Sequence, residues 1–355
     1  MSLWHKVVPL IAAALLLAAL WLPSGPIMTV ACMAMLAAAV VSAVHHAEVV
    51  AHRVGEPYGT LVLALAVTAI EVALIVSLML AGGADKAVLA RDTIYATVMI
   101  ISSGVIGICV LLGGLRHREQ SFRIEGAGPA LAGLTALSTL VLIMPVFTVS
   151  APGASYSTTQ LLFVGGSSLL LWCAFVFFQT VRNRDYFLPA SDTHNEAVHA
   201  PPPSIRDSWL SFVLLVISLT VVVGLAKTLS PAIEATVAAA GAPRATVGII
   251  IAMVVLLPEG VSAIRAALAN RLQTSMNLAL GSALASIGLT IPAVVVTATV
   301  LDLPLVLGLD AKDLVMLALT FVVSTFTLGT GRTNVMQGAV HLVLFAAFLF
   351  LSLVP

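Results

Sequence analysis

Residues 57–80, PYGTLVLALAVTAIEVALIVSLML, form an unbroken apolar run whose only formal charge is Glu71. About 20 apolar residues are what an α-helix needs to cross the hydrocarbon core of a bilayer. An ionised carboxylate at that depth costs about 2.5–3.5 kcal/mol even on the most lenient scale, so such residues mark ion pathways or proton relays. Residues 247–264, VGIIIAMVVLLPEGVSAI, repeat the arrangement with Glu259 as their only charge. Each half of the chain thus carries one intramembrane carboxylate, and the two call for a common explanation.

The same length criterion finds eleven spans, near 7–22, 26–44, 58–81, 92–115, 128–150, 158–181, 208–230, 245–267, 275–300, 314–329 and 333–354. Hydrophobic residues make up 60% of the chain and charged ones 9%, against about 25% charged in soluble domains. These features predict an all-α polytopic membrane protein whose surroundings are lipid. With zero net charge and no basic block, the chain lacks the clustered Lys and Arg that phosphate binding needs, which excludes nucleic acid as a partner. Cys32, Cys109 and Cys173 lie in separate apolar runs and suggest neither a disulfide framework nor a zinc site. Lys6 and the apolar run after it resemble a signal peptide without a clear small-residue cleavage site, so that run is read as a retained helix.

Lys and Arg favour cytoplasmic loops. With the amino terminus inside, Lys6, Arg53, Arg116, Arg118, Arg123, Arg182, Arg184, Arg206, Arg265, Arg271 and Arg332 fall on the cytoplasmic side, eleven of the 16 basic residues. That bias predicts a cytoplasmic amino terminus and an outward carboxyl terminus; the membrane expected is a bacterial inner one. Residues 182–207 form the only long hydrophilic segment, read as a cytoplasmic linker in which His194 and His199 are ordinary loop residues. The expected organisation is an N-terminal helix (1–25), a first five-helix repeat (26–181), the linker (182–207) and a second five-helix repeat (208–355). Residues 302–313 read as an external loop that dips inward.

Aligning Glu71 with Glu259 places the stretch after each carboxylate in parallel: ATVMIISSGVIG (96–107) against GSALASIGLTIP (281–292). Five spans separate the two carboxylate helices, so they cross the membrane in opposite directions. Inverted repeats of this kind build midplane sites in secondary transporters. Pro258 removes a backbone donor and Gly260 tolerates irregular dihedrals, so the helix is expected to loosen beside Glu259 and free carbonyl oxygens for a cation. Ser282, Ser286 and Thr290 share one helical face, and Thr93 and Thr97 share another. His45, Glu48 and His52 follow at i, i+3 and i+7 on one face near the cytoplasm, either a pH-sensing or ion-loading vestibule or a solvated helix end. Asn334, Gln337 and His341 form a polar stripe on the last helix, read as packing.

The stretch HHAEVVAHRVGEPYGTLVLALAVTAIEVALI, together with LLPEGVSAIRAALANRLQTSMNLALGSALASIGLTIPAVV, resembles the alpha repeats of the calcium/cation antiporter superfamily. Within it the match is to the proton-coupled calcium exchanger branch, and nearest to its bacterial calcium and sodium-potassium/proton antiporters. The resemblance implies a cation site built from Glu71 and Glu259 and from carbonyl and hydroxyl oxygens near them, with Thr68 and Ser282 as the further ligands by position; Thr97, Ser286 and Pro258 are secondary candidates from the helix faces and the proline alone. The family pattern Gly-Asn-Ala-x-Glu reads VTAIE at 67–71 and VLLPE at 255–259, so both amide ligands are missing. Calcium takes about six to eight oxygens, which leaves sodium and potassium open as substrates. The implied activity is export of Ca2+, Na+ or K+ in exchange for H+ by alternating access, the two glutamates holding either protons or metal. No enzyme is implied: HHAE is not HExxH, and no GxSxG elbow occurs. A cation channel would also use membrane carboxylates, but inverted repeats favour alternating access.

Overall fold

The computed structural model describes residues 3–22, 25–55, 58–82, 87–188, 203–243 and 245–354. His194 and His199 lie outside them. Eleven long helices form among the described residues: α1 (Leu3–Trp21), α2 (Pro26–Val54), α3 (Tyr58–Gly82), α4 (Leu89–His117), α5 (Ile124–Val146), α6 (Thr158–Arg182), α7 (Ile205–Ala239), α8 (Ala245–Leu268), α9 (Leu272–Val300), α10 (Ala311–Leu328) and α11 (Val335–Leu353). Ten of them are long and apolar enough throughout to cross a membrane, and α3 contributes a shorter apolar stretch, Leu65–Leu80. Backbone polar groups have no water partner in hydrocarbon, so a chain this apolar satisfies them inside helices. Two short strands, β1 (Glu119–Ser121) and β2 (Arg332–Asn334), pair antiparallel outside the apolar spans.

The boundaries differ from those expected in informative ways. α2 runs on to Val54, ten residues beyond 44, because AVHHAEVVAHR contains no helix breaker until Gly55. α7 is 35 residues long, about 52 Å at 1.5 Å per residue, and so outreaches a hydrocarbon core of about 30 Å. α8 stays helical through Pro258. The expected loosening beside Glu259 is therefore confined to one missing amide, the one that would have bonded the Val254 carbonyl. The interruptions fall elsewhere: π-helical turns form in α4 at Ile100–Val105, in α5 at Thr139–Ile143 and at the end of α6 at Phe178–Arg182.

The chain divides into two compact units, residues 1–81 with 193–247, and residues 82–192 with 248–355. In the first, α1 packs on α2 and α7, and α2 packs along α7. Pro9 lies four residues after His5 and cannot donate to its carbonyl. Ser42 Oγ and His46 Nε2 bind that carbonyl instead, at 3.2 and 2.9 Å. A carbonyl can only accept, so His46 carries its proton on Nε2.

In the second unit, α4 packs on α11 as α9 packs on α6. These pairings join the third helix of each repeat to the fifth helix of the other, the contact pattern of an inverted repeat. Both are tight. A side chain at Gly338 would strike the Leu111 backbone, and one at Gly288 would come within 2.5 Å of Trp172 Cβ. Outward faces are apolar, with Phe163 and Leu170 on α6 and Phe326 on α10 exposed, as contact with lipid requires.

The loops of this unit gather in two sets. The β1 loop meets the other even-numbered loops. Gln120 Nε2 donates to Ala267 O (2.8 Å), Arg123 N to Gln273 Oε1 (2.6 Å), Arg123 Nη1 to Asp185 O (2.7 Å) and Asn277 Nδ2 to Phe187 O (2.6 Å). The 301–310 segment meets the odd-numbered loops through Val306 N to Ala87 O and Gly308 N to Ala154 O, each at 3.0 Å. Its Leu305, Leu307 and Leu309 are buried and Leu309 N bonds the Leu142 carbonyl at the end of α5, so the loop does dip inward. Loops after α4, α6, α8 and α10 thus share one end, and those after α3, α5 and α9 the other, as alternate crossings demand. In a background without the native cysteines, Ser121→Cys and Arg332→Cys are expected to react with an impermeant thiol reagent from one face of the membrane, and Pro152→Cys from the opposite face only.

Candidate functional site

In the first unit, α3 carries Glu71 with Thr68 one turn earlier, and both side chains are 4% exposed. α3 runs as α-helix from Tyr58 to Gly82, with no Pro or Gly between Gly59 and Gly82 to interrupt it. Glu71 is thus held at the interior of an uninterrupted helix. A buried carboxylate in such a setting persists only with partners or by exchanging charge with a proton or cation.

His45, Glu48 and His52 do not form one site. Glu48 and His52 are exposed, whereas His45 turns onto α1 and stacks on His5 with ring centroids 3.7 Å apart. His46, which was not singled out from the sequence, is the more buried of the pair and binds the carbonyl left open by Pro9. The sequence signal was present in Pro9, but it points to a donor without saying which helix supplies it.

In the second unit, α8 carries Glu259 and α9 carries Ser282. The Ser282 hydroxyl donates to Glu259 Oε2 at 2.6 Å. This lies at the short end of the range for O–H···O hydrogen bonds. Ser286 and Thr290 continue the same face of α9 and are buried. α4, which carries buried Thr97, packs against α9. Glu259, Ser282, Ser286 and Thr97 therefore belong to three helices of one compact unit. Pro258 is buried and withholds an amide from the turn before Glu259.

Among the described residues, no three His, Cys, Asp or Glu side chains gather as a metal cluster. A cation at Glu259 would complete its shell with hydroxyl and carbonyl oxygens, the hard ligands that suit Ca2+, Na+ or K+. Asn334 and Gln337 have an ordinary role. Each bonds the other's backbone amide in a capping box that starts α11. His341 is fully buried, and its ring joins α11 to α4 and α10. Reading it as one of a packing stripe missed both bonds, because neither partner is close in sequence.

Comparison with known proteins adds an independent line. The model of the sodium/calcium exchanger protein family matches residues 21–181 and 210–354. The chain is 48% identical to the candidate ionic transporter y4hA of Sinorhizobium fredii, over 99% of this chain and 96% of that one. It is 37% identical to the sodium-potassium/proton antiporter ChaA of Escherichia coli, over 87% and 84% of the two chains. In fold it resembles native YfkE, with a TM-score of 0.73 at 19% identity, covering 99% of this chain and 100% of that one. It also resembles the H+/Ca2+ exchanger CAX, with a TM-score of 0.68 at 16% identity over 98% and 88% of the two chains.

The hydroxyl of Ser282 is a separable part of this site. Ser282→Ala is expected to lower stability by about 1 kcal/mol, the usual net contribution of one intramolecular hydrogen bond. Ser282→Thr, which keeps the hydroxyl, should lose less than half of that, measured by thermal unfolding in detergent at neutral pH.

Proposed function

The chain belongs to the sodium/calcium exchanger protein family, and from that premise we propose that it is a secondary active antiporter that exports Ca2+, Na+ or K+ in exchange for H+. The observation that carries this reading is the recurrence of one intramembrane carboxylate per half, Glu71 and Glu259, the second held by a hydroxyl at 2.6 Å. The similarity to a sodium-potassium/proton antiporter over 87% of the chain supports protons as the counter-ion.

In this mechanism each glutamate is either protonated or ionised against the cation. Both states limit the net charge that the membrane interior must accommodate. Thr68, Ser282, Thr97 and Ser286 supply neutral oxygens, and the carbonyl freed by Pro258 adds another. Where the family pattern has an amide the first copy has the Thr68 hydroxyl and the second has Leu256, so the site is less committed to the high coordination number of calcium. Net exchange requires that neither loaded state leak, which alternating access provides and an open channel does not. The repeats, 26–181 and 208–355, supply the two halves of the machinery. The amino terminus faces the cytoplasm, as the Lys/Arg bias supports, and the membrane is a bacterial inner one, which the bacterial relatives support.

Protons and cations compete for the same carboxylates, so the sign of the pH effect follows. Lower pH raises the fraction of protonated glutamate and raises the apparent KM for the cation, and higher pH lowers it. The test uses acidified inside-out vesicles to which Ca2+, Na+ or K+ is added separately. Collapse of the pH gradient by at least one of the three, with a KM that falls as pH rises, is expected for the natural sequence. Glu71→Gln and Glu259→Gln should each reduce exchange at least about 100-fold, as loss of an essential buried charge does. Substantial exchange in either variant would remove that glutamate from the mechanism, and no response to any of the three ions would overturn the reading.

A further inference from the structure

The buried imidazole of His341 sits against the one place where the α4 backbone ladder changes register. Its Nδ1 is 2.8 Å from the Ser102 carbonyl, and its Nε2 is 3.0 Å from Thr327 Oγ1. The carbonyl can only accept, so Nδ1 carries the proton. In the neutral ring Nε2 then accepts from the Thr327 hydroxyl. The ring is held in one tautomer and ties α11 to α4 and α10.

Ser102 lies in the π-helical turn Ile100–Val105. In an α-helix its carbonyl would accept from the amide of Ile106, four residues on. That amide bonds the Ile101 and Ser103 carbonyls instead. The turn thus passes over the Ser102 carbonyl, and His341 supplies a donor to it. Such turns amount to one residue inserted into an α-helix, and the repeat in α9 shows the insertion. Thr97 to Gly104 is seven residues, whereas Ser282 to Gly288 is six. Both glycines mark where a third helix meets an aromatic side chain of the fifth helix it packs on. A Cβ at Gly104 would lie 3.2 Å from Phe345 on α11, as one at Gly288 would lie 2.5 Å from Trp172 on α6.

One inserted residue turns the preceding part of a helix by about 100° relative to the part that follows. The following part of α4 is fixed against α11, where a Cβ at Gly107 would lie 2.9 Å from His341 Cβ. The register at Ser102 therefore decides which way Thr97, in the preceding part, faces. We propose that His341 is a positioning residue for cation binding: by capturing the Ser102 carbonyl it holds α4 in its π register and sets the direction of the Thr97 hydroxyl. This rests on the antiport reading, in which Thr97 supplies an oxygen to the cation. Ser102, whose own hydroxyl is buried without a hydrogen-bond partner, contributes through its backbone.

The test separates donor chemistry from bulk. His341→Leu fills the space without a donor, and His341→Asn places an amide nitrogen near the position of Nδ1. In proton-loaded vesicles His341→Leu should raise the cation KM roughly tenfold, the usual effect of removing a group that orients a ligand, with the maximal rate within about twofold of the natural protein. His341→Asn should keep the KM within about threefold. An unchanged KM in His341→Leu, equal impairment in both variants, or a fall in maximal rate at unchanged KM would overturn the proposal. Should His341→Leu fail to fold, Thr327→Val, which removes only the outer support of the ring, is expected to raise the KM about threefold, and an unchanged KM would count against the proposal. If the natural protein exchanges no cation for protons, the antiport reading falls by itself. Amide hydrogen exchange over residues 103–107 then judges the register lock: faster exchange in His341→Leu but not in His341→Asn supports it, and equal exchange in all three proteins overturns it.

Discussion

One constraint runs through this fold: a backbone carbonyl or amide inside the apolar spans has no water to turn to and needs a partner within the protein. Where the helices run unbroken the ladder supplies that partner. At two places where they do not, a side chain from another helix does. Pro9 takes the amide away from the His5 carbonyl, and Ser42 and His46 from α2 restore the bonding. The π-helical turn of α4 passes over the Ser102 carbonyl, and His341 from α11 meets it. In both cases the donor is a histidine, a side chain that can reach across a helix interface, hold one fixed tautomer and stay neutral. The same constraint shapes the ends of the second unit, where Gln120, Arg123 and Asn277 donate to loop carbonyls or side-chain oxygens of neighbouring segments.

Against that background, the two glutamates stand out because their purpose is not backbone satisfaction. Thr, Ser and His cost little when they are bonded, whereas a carboxylate carries charge into the membrane and stays expensive unless the charge is neutralised. Glu259 has the Ser282 hydroxyl on one oxygen, which offsets part of that cost and still leaves acceptor capacity on a group with about four lone-pair sites. A residue of this kind is suited to a ligand that comes and goes. Under the antiport proposal this is asked of both glutamates, a proton and a hard cation held in alternation.

Much of this was legible in the sequence. All eleven helices and the isolation of Glu71 and Glu259 follow from run length and charge alone, because in a bilayer those two quantities dominate the energetics. The serine face of α9 followed from its four-residue spacing, and Ser282 does reach Glu259. What could not be read is which face of an apolar helix meets protein and which meets lipid. Both faces are hydrophobic, so α3 or α6 shows little periodic contrast, and the partners of His46 and His341 were hidden. The π-helical turn of α4 was hidden for a related reason. IISSGV contains no proline, and its extra residue is visible only once the glycine contacts of α4 and α9 are set side by side. Pro258 misled in the opposite direction, since a proline in a packed membrane helix can remove one hydrogen bond without breaking the helix.

The contrast between Pro9 and Pro258 then has a functional edge. Each leaves one carbonyl without its ladder amide, His5 in α1 and Val254 in α8. The first is closed by two side chains at 3.2 and 2.9 Å, which fixes α1 to α2. The second lies five residues before Glu259, within the same apolar span, where the proposed antiport would use an extra oxygen. A cation that binds a carboxylate and one hydroxyl is under-coordinated, and a carbonyl is a ligand that neither titrates nor competes for the proton. Closing the first carbonyl builds the scaffold, and under the antiport proposal the second is where the same kind of residue would equip the site.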